Sequence, residues 1–211
     1  MSPTATRRGR RWIITGALAA ALIGVTTAGL LGAFGPRGPE DMNGRPVSYE
    51  LDAAPQPEAS AVPDGEGAFV VDSVGLDVPL GAINAVDGVV TPPGFTSAYL
   101  IRDAGVTPER AGLGTVFVVM HSLRGGATGP GNYLIDVDSE KSALSTGASI
   151  SVDGQEYAVT TSTRVSKNDL AANSDLWDNS PGRLVVITCL QRPGGGASVD
   201  NIVIEAQLVS A

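Results

Sequence analysis

From residue 68 onward the apolar residues of this chain come only in short Val/Ile/Leu-rich runs, each broken off by Gly, Pro or Asp. An amphipathic helix needs about ten or more residues with apolar positions three and four apart, whereas a strand needs only about four to eight. The pattern therefore predicts strands over 68–73, 76–80, 89–91, 115–120, 148–152, 156–165, 183–188 and 201–209. Eight short strands at this spacing imply a barrel or a sandwich. Short helical segments are expected over 96–104, 139–144 and just after Ser166, an N-cap residue type. Asp153-Gly154 between two of the strands predicts a two-residue hairpin turn.

The first 67 residues have a different texture. Arg7, Arg8, Arg10 and Arg11 form a basic tail over 1–11, and residues 12–34 follow without a single charge. As a helix that run is roughly 35 Å long at about 1.5 Å per residue, enough to span a bilayer. A basic cluster before an apolar span stays in the cytoplasm, so the expectation is a single-pass membrane protein whose body lies outside the cell. The alternative is a signal peptide removed near Ala33 and Gly35, with the body exported in either case. Residues 35–67, rich in Pro, Gly, Ala, Glu and Asp, read as a flexible linker, and 68–211 as the folded domain.

Charge narrows the partners. The chain holds 14 Lys and Arg against 22 Asp and Glu, and all four arginines of the tail precede the apolar run. The exported body is thus strongly acidic, with no basic stripe for phosphate, and nucleic acid is excluded as a partner. The acidic residues Asp136, Asp138 and Glu140 lack the glycine and terminal Glu of a calcium loop, so no metal is expected.

The chain has one cysteine, Cys189, and one histidine, His121. With a single Cys no intramolecular disulfide forms, and the thiol is either buried filler or a reactive group. Cys189 ends the apolar run RLVVITC and His121 follows the run TVFVVM, each just before a glycine-rich loop, 191–197 and 122–131. Thiol chemistry needs this pairing of an imidazole, which sustains the thiolate and supplies a proton to a leaving amine.

VVMHS, a variable loop and VVITC before a final strand resemble the sortase family, in which a His closes one barrel strand and a Thr-Cys dipeptide closes another. The segment GPGNYL after the His loop is similar to the class called E or F, of actinobacterial type. The resemblance covers residues 69–209 and implies a mostly β, closed eight-stranded sortase-like barrel with short helices, preceded by a transmembrane helix and a stalk. It further implies a cysteine transpeptidase of a Gram-positive cell wall. Cys189 would cleave a C-terminal sorting signal of exported proteins through a thioester. A peptidoglycan-precursor or pilin amine would then accept the acyl group, with no cofactor.

Sortases usually place an Arg at the start of the last strand, and 198–201 contain none. Three arginines can offer the donor fork that an oxyanion requires. Arg192, three residues past Cys189, is preferred; Arg124, three past His121, is second; Arg183, at the far end of the Cys strand, is last. Asn132, Arg124 and Thr188 are taken as substrate-binding, although Asn132 next to Pro-Gly also fits a turn former. The missing strand Arg leaves a second reading open, a catalytically degenerate domain of the same fold kept as a membrane-tethered binding or scaffolding module. A further cell-wall Cys enzyme, the L,D-transpeptidase, ends in Ser-x-Gly-Cys, which is absent here.

Overall fold

The computed structural model describes residues 39–47 and 55–209. The basic tail, the expected membrane span and part of the expected linker lie outside these residues. Among the described residues no helix is long and apolar enough to cross a membrane.

Among the described residues ten strands follow one another: β1 (Val62–Val71), β2 (Leu76–Ile83), β3 (Ala98–Ile101), β4 (Val116–Met120), β5 (Ile135–Asp136), β6 (Lys141–Ser142), β7 (Ser149–Val152), β8 (Gln155–Ser166), β9 (Arg183–Leu190) and β10 (Asp200–Leu208). Eight close into a barrel in the order β1-β2-β3-β4-β9-β10-β8-β7, while β5 and β6 pair separately. The pairs β2–β3 and β4–β9 are parallel. The fold is thus the expected closed, mostly β barrel with few short helices.

β4 and β9 run through the middle of the sheet. Every residue of β4 is buried, as is every residue of β9 after Arg183. One face of each fills the barrel, through Val116, Val118, Met120, Leu184 and Val186. The other face packs Phe117, Val119, Val185 and Ile187 under a second apolar layer that includes Tyr99, Ile101 and Leu176. Trp177 stacks on Phe117 with ring centroids 5.3 Å apart. Burial on both faces explains why these strands read as unbroken apolar runs.

The predicted hairpin at Asp153-Gly154 is present, with both residues at positive φ (50° and 76°) and Val152 paired to Gln155. The segment after Ser166 is a short helix, α1 (Lys167–Leu170), capped by the Ser166 hydroxyl, which accepts from Asn168 N at 3.1 Å.

Three expectations are corrected. The strand expected over 89–91 is only an isolated bridge between Val86 and Val89. The missing barrel strand is β3, inside the span read as helix over 96–104; Ala98, Tyr99 and Ile101 are buried between β2 and β4, and so short an apolar run carries no period. The helix expected over 139–144 is a turn leading into β6, because Glu140 adopts φ +52° and Lys141 pairs with Asp136. The barrel also begins earlier than residue 68: Val62 pairs with Ala82, and the 3-10 turn Pro57–Ala59 buries Ala59 against the outer layer.

Candidate active site

The parallel ladder of β4 and β9 runs in register from Val116–Leu184 to Met120–Thr188. One step further stand His121 and Cys189, on neighbouring strands whose spacing is about 4.8 Å. Alternation sets the face. Cys189 has the parity of Val185 and Ile187 within β9 and so projects from the outer face of the barrel, while His121 is the first residue after β4. Sequence separation of 68 residues is thereby reduced to adjacency. Cys189 is 7% exposed and His121 6%.

The imidazole is held from two sides. Its Nε2 lies 3.3 Å from the carbonyl oxygen of Pro92, and the Phe95 ring meets it edge-on with centroids 5.0 Å apart. A carbonyl only accepts, so this hydrogen bond requires a proton on Nε2 and leaves Nδ1 as the nitrogen whose protonation changes. Pro92 and Phe95 were invisible as site residues in the sequence, since Pro-Pro-Gly reads as a turn and nothing local links it to His121.

The two loop mouths are tied together. Ser122 donates its hydroxyl to Cys189 O at 2.5 Å, and Gln191 Nε2 donates to Ser122 O at 2.9 Å and to Ser122 Oγ at 3.0 Å. Ser122 is 3% exposed and Gln191 5%, so the network lies in a protected setting. Each mouth thus fixes the other.

Asn132 serves the loop after His121. Its Oδ1 accepts from Leu123 N at 2.7 Å and Gly129 N at 2.8 Å, and its Nδ2 donates to Leu123 O at 2.8 Å. The turn-forming role weighed above is the one the geometry displays. Gly131 N donates to His121 O at 2.8 Å, and a Cβ on Gly131 would collide with Thr188 Oγ1. Thr188, 2% exposed, therefore stands on the opposite face of β9 from Cys189 and supports the loop instead of lining the outer face.

A segment from the expected linker also reaches this loop. Asp41 Oδ2 accepts from Thr128 N at 3.0 Å, Met42 N donates to Thr128 O at 2.9 Å, and Arg45 Nη1 donates to Gly126 O at 3.3 Å. Val47 buries itself with Phe95 and Leu123. Burial alone raises the pKa of Asp41, but N–H groups from Arg45, Thr128 and Asn43 outweigh it and hold the carboxyl below its ordinary 3.8.

The arginines separate clearly. Arg183 is committed at the far end of β9, donating through Nε and Nη2 to Glu205 Oε2 at 2.9 and 2.7 Å, and through Nη1 to the carbonyls of Asp175, Leu176 and Asp178. Arg164 binds Asp200 and Glu140. Arg192 is exposed in the loop after Cys189, where Gly195 N donates to its carbonyl at 2.9 Å. Arg124 is half-buried in the loop after His121.

Solved structures share this architecture. Sortase C-1 from Actinomyces oris is 15% identical, with 71% of this chain and 75% of that one aligned at a TM-score of 0.50. A variant of sortase C-1 from Streptococcus pneumoniae is 12% identical, with 78% of this chain and 73% of that one aligned, also at 0.50. The barrel has the sortase fold. No protein-family model matches the sequence, and no curated protein matches it. Within this sortase-like barrel His121 follows the end of β4 and Cys189 lies near the end of β9, each at the mouth of a glycine-rich loop.

Proposed function

We propose that this protein is a sortase-type cysteine transpeptidase, anchored by residues 12–34 with its barrel outside the cytoplasm. The observation that supports the reading is the parallel β4–β9 register, which ends one step before His121 and Cys189. The GPGNYL segment favours the E or F type.

In the proposed reaction the Cys189 thiolate attacks a backbone carbonyl in the sorting signal of an exported protein. The C–N bond breaks as His121, as imidazolium, gives its proton to the leaving nitrogen, and a thioester remains. An amine of a cell-wall precursor or pilin then attacks the thioester, its proton passes to the neutral His121, and the thiolate departs. Negative charge develops on the carbonyl oxygen in both halves, and Arg192 is assigned to meet it.

The deciding experiment measures the rate of Cys189 alkylation against pH on the full chain, with and without His121→Ala. A poised thiol titrates below the ordinary value of about 8.5 and responds to the loss of His121. An inert thiol, indifferent to His121, defeats the proposal and leaves the membrane-tethered binding module.

A further inference from the structure

Asn201 is the register partner of Cys189 across the antiparallel β9–β10 ladder. Side chains paired in this way project from the same face, with Cβ atoms about 4.5–5.5 Å apart. Val203, two residues on, belongs with Ile187 to the outer apolar layer, which confirms the face. Asn201 is 1% exposed, and its Oδ1 is buried with no hydrogen-bond partner among the described residues. On its other side the register partner is Val165, whose side chain offers no donor. An apolar residue would fill this place without the cost of desolvating an amide. The amide oxygen thus lies without a donor next to the nucleophile, where a donor arriving at Cys189 would meet it. Cys189 and His121 are nearly as covered as Asn201, so the amide lies at about the same depth as the thiol.

We propose that Asn201 Oδ1 accepts an N–H from the nitrogen that leaves Cys189 and, in the second half-reaction, from the amine that replaces it. The inference rests on the transpeptidase reading. The scissile amide has one N–H, and once protonated by His121 the departing amine still offers it to Asn201. An incoming primary amine has two: one proton goes to His121, and the other is held by Asn201. A secondary amine has only one, which His121 must take, so Asn201 is left without a donor when such an amine attacks. The residue accordingly selects primary amines as acceptors.

The test uses the full chain, a thiobenzyl ester of N-acetylalanine as acyl donor, and glycinamide or sarcosinamide as acceptor, with products measured by mass spectrometry. The wild type is expected to prefer glycinamide by about tenfold beyond the ratio for the free thioester in solution, the effect of one hydrogen bond. Asn201→Leu should collapse that preference to the solution ratio while changing the rate of acylation by the ester less than about threefold, since the ester has no scissile N–H for Asn201 to accept. Asn201→Ala, which has no acceptor, serves in its place should the Leu variant not fold, and Asn201→Asp, which keeps an acceptor oxygen, should retain the preference. A preference that survives Asn201→Leu, or equal losses in acylation and aminolysis, overturns the assignment while leaving the transpeptidase intact. A wild type that is never acylated at Cys189 removes both.

Discussion

Ser122 donates its hydroxyl to the carbonyl oxygen of Cys189 and accepts, on the same oxygen, from the Gln191 amide. It links the loop after His121 to the backbone of Cys189 itself. Replacing it with Ala leaves the Cys189 carbonyl without that donor and removes one of the two contacts of Gln191 Nε2. Ser122→Ala is expected to cost about 1–3 kcal/mol of stability, the range for a buried group left unsatisfied. Chemical denaturation checks the first part. The second part is functional: with the two mouths uncoupled, the effect of His121→Ala on Cys189 alkylation should shrink.

Gly131 is the contact point between the His loop and the Cys strand. Its N–H holds His121 O, and its Cα lies against Thr188, next in sequence to Cys189. Thr188 is a buried side chain that cannot swing into solvent, so an added methyl group at Gly131 meets a fixed neighbour. Gly131→Ala should destabilise by roughly 1–3 kcal/mol as an overpacked site, and should lower acyl transfer as well by displacing Thr188. A variant with unchanged melting and unchanged transfer would contradict the contact.

Asp41 makes a pH prediction with a definite sign. Its folded pKa lies below 3.8, so its contribution is complete above the unfolded value of about 3.9 and fades as pH falls through the folded one. The protection of the Asn43, Arg45 and Thr128 amides, the donors to this carboxylate, measured relative to the intrinsic exchange rate at each pH, should be high at pH 5 and above and fall below about pH 4. Asp41→Ala, which removes every acceptor oxygen, should show the low protection at every pH. Protection that ignores both acid and the substitution would refute the clamp.

The sequence revealed those parts of the molecule whose signals are local. Strands such as β2 and β7, the Asp153-Gly154 hairpin and the Ser166 cap are set by alternation, turn chemistry and a capping side chain, each readable in a short window. β3 was hidden because a four-residue strand buried by both neighbours has no period of its own. His121 and Cys189 stood out as the lone members of their types at strand ends, yet their adjacency depends on the parallel pairing of β4 with β9, a long-range fact. Pro92, Phe95, Gln191 and Asn201 carried no such mark. Each gains a place near the site only once β10 and the 92–95 turn are folded against it.

Arg183 anchors the opposite end of β9. It pairs with Glu205 and gathers three carbonyls of the segment that covers the outer layer through Leu176 and Trp177. Charge-assisted hydrogen bonds from one guanidinium are each worth about 1.5–3 kcal/mol when protected, and this side chain is 13% exposed. Arg183→Ala is therefore expected to lower stability by about 2–4 kcal/mol while leaving the pH profile of Cys189 alkylation in place. Arg183→Lys should recover little, because a point charge cannot meet the carboxylate and the carbonyls at once.

The oxyanion donor gives the last prediction. Arg192 sits three residues past Cys189 on an exposed turn closed by Gly195 N, so its side chain is carried by the same loop that adjoins the nucleophile. Arg124 is carried by the loop on the His121 side, which the Asn132 amide fixes in place. If Arg192 meets the developing charge, Arg192→Ala should lower acyl transfer by about 10²-fold or more with little change in thiol alkylation by a neutral reagent, because alkylation forms no oxyanion. Arg124→Ala should have a far smaller effect on transfer. The reverse order would move the donor to the His loop, and two variants that both behave as wild type would place it outside the arginines altogether.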